Sequence, residues 1–339
     1  VACGAAPLHA DEVRLLARSG ALSPEGLARF EHETGTRVHL VEVAEPAEII
    51  RRLDRPESGY DVAFLLDHQV PDLIGRDRLE RIWADRLPGF WNIEDPWRAR
   101  AFDPQNEYTI PHQWGTTGLA IDASVYDGPQ DSLSLLFSPP PALAGRVALI
   151  DDPVMIQFAL LVAGESHCAS DARRLTQAEA RLAPLLARAR LVRADRTQAA
   201  LRDPKFALVV AWSGDVMQAR QSRPELVFAY PREGNPMWSE VAVVPRHPPN
   251  LAAALKVLTF LLRPENAALQ SDYNGFATTI RGAESHLRPE VLAAPELVAP
   301  WPAQVVFQVP CSASAQRRQE AAWAHLRAPL RVRRPVPGS

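Results

Sequence analysis

From residue 12 onward short apolar runs alternate with capped amphipathic ones, and that alternation confines the chain to an α/β architecture with a largely parallel sheet. VRLLA reads as a first strand, followed by a loop over Arg18–Leu22. Ser23 then sits where a helix N-cap belongs, with Pro24 in the first turn, where a missing N–H does no harm. Gly35 closes that helix, RVHLVEV is the next strand, and PAEIIRRL a short helix. YDVAFLL has the unbroken apolar character of a buried parallel strand. HQVPDLIGRDRLERI is expected to be helical in its second half.

The pattern restarts at about residue 117. TGLAIDASV reads as a strand entering a new region, and GRVALIDDPVMIQFALLVAG as a strand, a polar turn and a helix. QAEARLAPLLARARLVRA has leucines and alanines at helical spacing. FALVVAW runs as a strand up to Ser213-Gly214, ahead of a helix around DVMQARQ. LVFAYPREGNPMWSEVAVVP supplies two more strands, and LAAALKVLTFLLRPENAALQSDY a helix pair broken near Pro264. A length of 339 residues accommodates two such domains, and 47% hydrophobic against 23% charged residues describes a folded chain.

Charge narrows the partners. With 37 basic and 40 acidic residues the formal charge is -3, which gives no general field for nucleic acid but leaves room for a local acidic patch. The opening VACGAAPLHA reads as the tail of a signal peptide cleaved after Ala10, with lipidation of Cys3 as the alternative. Export to the periplasm follows from either. The closing RAPLRVRRPVPGS reads as a frayed basic tail. Of three cysteines, Cys168 and Cys311 are the only two that can pair within the mature chain; the plainer reading leaves both reduced and isolated.

Catalytic constellations are missing: no GxSxG, HExxH, phosphate loop or GxGxxG occurs, and the nine histidines fall into no metal spacing. The expectation is a protein that is not an enzyme and needs no cofactor or metal. Several residues remain of interest for binding. Asp151 and Asp152 follow VALI at a strand end; either one faces a ligand while the other caps a helix, or both are caps. Trp212 ends a strand and is either core or a face for an alkyl chain or a cation. Trp238 and Glu240 share one face if their segment is a strand, and an indole beside a carboxylate suits an organic cation. Trp114, next to the pliable Gly115, is either hinge-adjacent or core.

The stretches LSPEGLARFEHETG, SGYDVAF, FDPQNEYTIPHQWGTTGLAI, GRVALIDDP, VVAWSGDVMQARQ, YPREGNPMWSEVAVVP and LKVLTFLLRPENAA together resemble the periplasmic spermidine/putrescine-binding receptors of ABC importers. The resemblance implies a two-lobed α/β solute-binding fold with discontinuous lobes and a hinge: residues 11–117 with 241–285, and 118–240 with 286–330, flanked by a signal remnant over 1–10 and a tail over 331–339. It implies ligand contacts at Asp152, Trp212, Trp238, Glu240 and Gln308, with Gln304 as the alternative to Gln308. The first lobe departs from the pattern. Ser19 and Leu22 stand where the family has a tryptophan and a tyrosine, Leu66 and His68 replace a serine and a tyrosine, and Met155 replaces a second acid. Asp67 and His68 are the residues able to restore part of that half-site. A monomeric receptor for a small amine, working with an inner-membrane ABC permease and without nucleic acid, is what the resemblance implies.

Overall fold

The computed structural model describes residues 12–297 and 311–332. The expected signal remnant over residues 1–10, Gln304, Gln308 and residues 333–339 lie outside the described residues. The chain divides into two compact units. One comprises the described residues up to Gly115 together with Trp238–Leu297, the other Thr116–Met237 together with the described residues beyond 310.

In chain order the first unit opens with β1 (Glu12–Arg18), α1 (Pro24–Thr34), β2 (Arg37–Val43), α2 (Pro46–Leu53), β3 (Val62–Leu66) and α3 (Val70–Gly75). β4 (Thr109–Asp122) carries the chain into the second unit. There follow α4 (Ser134–Phe137), β5 (Val147–Ile150), α5 (Val154–Val162), α6 (Ala172–Arg188) and β6 (Arg190–Val192). Next come α7 (Thr197–Arg202), β7 (Leu208–Trp212), α8 (Ser213–Arg220) and β8 (Leu226–Ala229). β9 (Met237–Val243) returns to the first unit, which α9 (Leu251–Leu261), α10 (Pro264–Asn274), β10 (Ala277–Thr278) and α11 (Pro289–Leu292) complete. α12 (Ala313–Val332) belongs to the second.

In the first unit the strands run β2-β1-β3-β9, the first three parallel and β9 antiparallel to β3. β3, with neighbours on both sides, is buried over Val62–Leu65, which is why its sequence is apolar throughout rather than alternating. Leu16, Ile49, Leu53, Leu65, Leu73 and Val241 meet in the core beneath it. The helix signals work as written: Ser23 Oγ accepts from Gly26 N at 3.2 Å, and Gly35 ends α1 at φ +66°. In the second unit β8 and β7 flank β4 antiparallel, and β7, β5 and β6 follow in parallel. Ala148, Leu201, Val209, Val216 and Phe228 pack there.

Four expectations change. HQVPDLIGRDRLERI is helical in its first half, as a 3-10 turn over Asp67–Gln69 and then α3, because Asp77 at φ +52° turns the chain away. The unit divisions fall at Gly115 and Met237, and residues 286–297 join the first unit, where Arg288 N bonds Asp272 Oδ1 at 3.0 Å. Residues 327–332 of the supposed tail continue α12. Cys168 and Cys311 form a disulfide rather than standing apart as thiols, their Cα atoms 5.2 Å apart. His167 Nε2 lies 3.1 Å from Cys168 Sγ, but sulfurs bonded to each other are not thiolate ligands for a metal.

Candidate functional site

Parallel β1, β2 and β3 place their carboxyl ends on one edge of the first unit, the edge where α/β sheets take up ligands. Arg18, Ser19, Asp67 and His68 all fall there, at or just after strand ends. β9 arrives antiparallel with Glu240 opposite Leu66. The alternation of a strand therefore puts Trp238 and Glu240 on one face and Ser239 on the other.

Ser239 decides what Asp67 does. Its Oγ donates to Asp67 Oδ2 at 2.7 Å, while the backbone N–H of His68 donates to Oδ1 at 2.7 Å. Burial pushes the Asp67 carboxyl upward, opposed by His68, the Ser239 hydroxyl and the charge of Arg100. At 2% exposure Asp67 clamps its turn to β9 on the face away from Glu240. His68 is half-buried, Nδ1 4.0 Å from that carboxylate. Ser19 is exposed, and its hydroxyl donates to Val43 O at 3.2 Å as part of a strand-end turn. Asp67, expected to restore part of the first half-site, and Ser19, which stands in place of a family aromatic, thus have structural partners.

Glu240 differs from Asp67. It is 8% exposed, and its carboxylate takes no hydrogen bond from any described residue. Burial raises its pKa to about 7, against the opposing charge of Arg18. Beside it, the Trp238 ring meets Phe276 edge-on with centroids 4.9 Å apart. Gly115 makes room for that indole: a Cβ there would lie 2.7 Å from Trp238 Cζ2. Its role is thus close approach rather than pliability. Trp114 points elsewhere, its Nε1 bonded to Thr278 O at 3.1 Å and its ring stacked on Trp97.

A network of amides holds the loop after β1. Gln113 and Asn274 exchange hydrogen bonds at 3.0 and 2.7 Å. Asn274 and Gln270 both donate to Ala21 O, and Gln270 Oε1 accepts from Ser23 N at 2.9 Å. Sequence reasoning missed this network and missed Arg18. The available signal for Arg18 was its position as the last residue of a strand.

In the second unit β5 and β7 run parallel with Val147 opposite Leu208, so Asp151 and Trp212 end their strands level with each other. Asp151 is tied to α12: its Oδ1 accepts from Trp323 Nε1 at 3.0 Å and Arg327 Nη1 at 2.7 Å. Asp152 Oδ1 accepts from Val154 N at 2.8 Å, a local turn leading into α5. Trp212 is 7% exposed at the start of α8. The strand-end placement of all three agrees with the sequence, and both carboxylates have work within the fold.

Two α/β units, each assembled from separated stretches of chain and each bearing aromatic and acidic residues at its strand ends, define a solute-binding receptor. The family model described as bacterial extracellular solute-binding protein matches residues 79–295, and the chain belongs to that family. It is a binding protein and not an enzyme. It is 28% identical over 274 residues to the putrescine/agmatine-binding protein of Pseudomonas aeruginosa, covering 75% of this chain and 74% of that one. Against the spermidine/putrescine-binding periplasmic protein of Escherichia coli the identity is 26% over 296 residues, with 86% and 85% covered. The solved spermidine/putrescine substrate-binding protein PotD of Streptococcus pneumoniae shares the fold, with TM-score 0.79 at 20% identity over 94% of this chain and 98% of that one.

Proposed function

We propose that this chain binds a small organic amine of polyamine-like character outside the cytoplasm and hands it to a membrane ABC permease. The observation that carries this reading is Glu240, a carboxylate 8% exposed that no described residue hydrogen-bonds, on the same strand face as Trp238. A buried carboxylate without a donor is costly, and an ammonium group arriving with its own N–H donors removes that cost. The indole adds an apolar wall and a negative ring face for the alkyl chain and its charge. Trp212 and Asp152 are the corresponding groups on the second unit. The named ligands of the two relatives in Pseudomonas aeruginosa and Escherichia coli support an amine.

Calorimetry and native mass spectrometry with putrescine, agmatine, spermidine and spermine test the reading. At least one amine is expected to bind, and Glu240→Gln to weaken it by about tenfold or more, roughly 1.4 kcal/mol per decade. Binding of sugars or inorganic anions with no response to any amine would overturn it.

A further inference from the structure

On the first unit, the edge opposite the strands' carboxyl ends carries a cavity of about 440 Å³, formed by α2 and the loop that leads into β3. Its walls are Glu48, Arg51 and Arg52 from α2 and Arg55, Ser58 and Tyr60 from the loop. Arg52 is held in place: its Nη2 and Nε donate to Glu48 Oε1 at 2.5 and 3.0 Å, and its Nη1 donates to the Tyr60 hydroxyl at 2.8 Å. Tyr60 packs against the core of the unit, so this guanidinium stands on a rigid base. Arg51 and Arg55 are exposed and have no hydrogen-bond or ion-pair partner among the described residues. Glu57 of the same loop is exposed and lies outside the cavity wall.

Three guanidiniums thus share the cavity with one carboxylate, which is already engaged by Arg52. Basic side chains in a last turn suit the helix dipole, which accounts for Arg51 and Arg52, but Arg55, Ser58 and Tyr60 lie beyond Leu53, where α2 ends. Uncompensated guanidiniums gathered in a concavity are complementary to phosphate, whose oxygens accept paired N–H donors. The hydroxyls of Ser58 and Tyr60 accept from Tyr60 N and from Arg52, and each keeps its own O–H to donate. A bare phosphate occupies a small part of 440 Å³, so the matching ligand carries an organic group on the phosphate. We propose that this cavity is a second binding site, for a phosphate ester, with Arg51 and Arg55 gripping the anion beside the fixed Arg52. Glycerol phosphate has this chemistry, free in solution or as the headgroup of a phospholipid.

Two arms test the proposal on the dialysed full-length protein at fixed ionic strength: calorimetric titration with glycerol 3-phosphate, and sedimentation with phosphatidylglycerol vesicles. Binding is expected in at least one arm, and Arg51→Gln with Arg55→Gln is expected to weaken it about tenfold or more, at unchanged Tm and unchanged amine affinity. Binding of the free ester identifies a soluble ligand, and sedimentation without it a lipid; either result supports the site. Arg173→Gln with Arg181→Gln removes the same charge from exposed positions on α6 and is expected to bind as the parent does. No response in either arm, binding that the Arg51/Arg55 variant retains, or equal weakening in the α6 variant overturns the inference. The amine reading would stand in each of those cases, since the two sites share no residue.

Discussion

At the scale of single residues, Glu240 and His112 make stability depend on pH in opposite senses. Glu240 rises from 4.5 to about 7, so between those values the unfolded chain is ionised while the folded one keeps its proton. Its contribution is fully present below 4.5 and is lost as pH climbs through 7. His112, buried against Phe64, falls from 6.5 to about 3 because burial disfavours its charged form. Its contribution is present above 6.5 and is lost as pH drops toward 3. Glu240→Gln should therefore stabilise the ligand-free protein at pH 8 by on the order of 2 kcal/mol and flatten the alkaline side of its pH profile. His112→Phe should flatten the acid side. Thermal unfolding across a pH series reads both. Gly115→Ala should displace the Trp238 ring, cost about 1–3 kcal/mol through overpacking and weaken ligand binding, as thermal unfolding and calorimetry would show. The pairing of Trp238 with Glu240 was legible because a two-residue period on a strand fixes the face. The work of Asp67 was not, since Ser239 lies 172 positions away and nothing local marks the contact.

Among the elements, those bounded by local chemistry could be read closely. PAEIIRRL and RVHLVEV fall on α2 and β2 residue for residue, because Pro46 in the first turn of α2 and Gly35 just ahead of β2 act within a turn of where they stand. α12 escaped notice since its sequence is rich in alanine, arginine and glutamine. Its position depends on Trp323, 1% exposed, and on Arg327, both reaching Asp151. Arg327→Ala should accelerate amide exchange along the last turns of α12 while leaving α1 unaffected. The loop after β1 depends on its amides in the same non-local way. Gln270→Ala leaves the buried Ser23 N–H without its partner and Ala21 O with Asn274 alone, and should cost about 1–3 kcal/mol in a thermal or urea unfolding experiment.

For the molecule as a whole, the Cys168–Cys311 disulfide joins two cysteines of the second unit that stand 143 positions apart, and the loop it closes contains the first unit's stretch Trp238–Leu297. Reduction, or Cys168→Ser with Cys311→Ser, should lower stability by about 2–4 kcal/mol, seen as a drop in Tm that reductant reproduces in the parent and not in the double variant. Such a bond belongs to an oxidising compartment, in keeping with an extracytoplasmic protein. Three cysteines in a long chain gave no means of choosing between a bond and free thiols, because pairing depends on tertiary distance alone. The passage at Gly115 lies close to the restart of the strand–helix rhythm near residue 117, whereas no change of rhythm marks the one at Met237. Residues 286–297 carry only the four-residue α11, too short for periodicity to tell which unit they join. The interleaving also governs the timing of assembly. A chain emerging from its amino end offers β1, β2 and β3 long before β9 exists to cover the open side of β3. Until residue 243 has appeared, β3 has β1 on one side and an open edge on the other, for more than two-thirds of the chain's length.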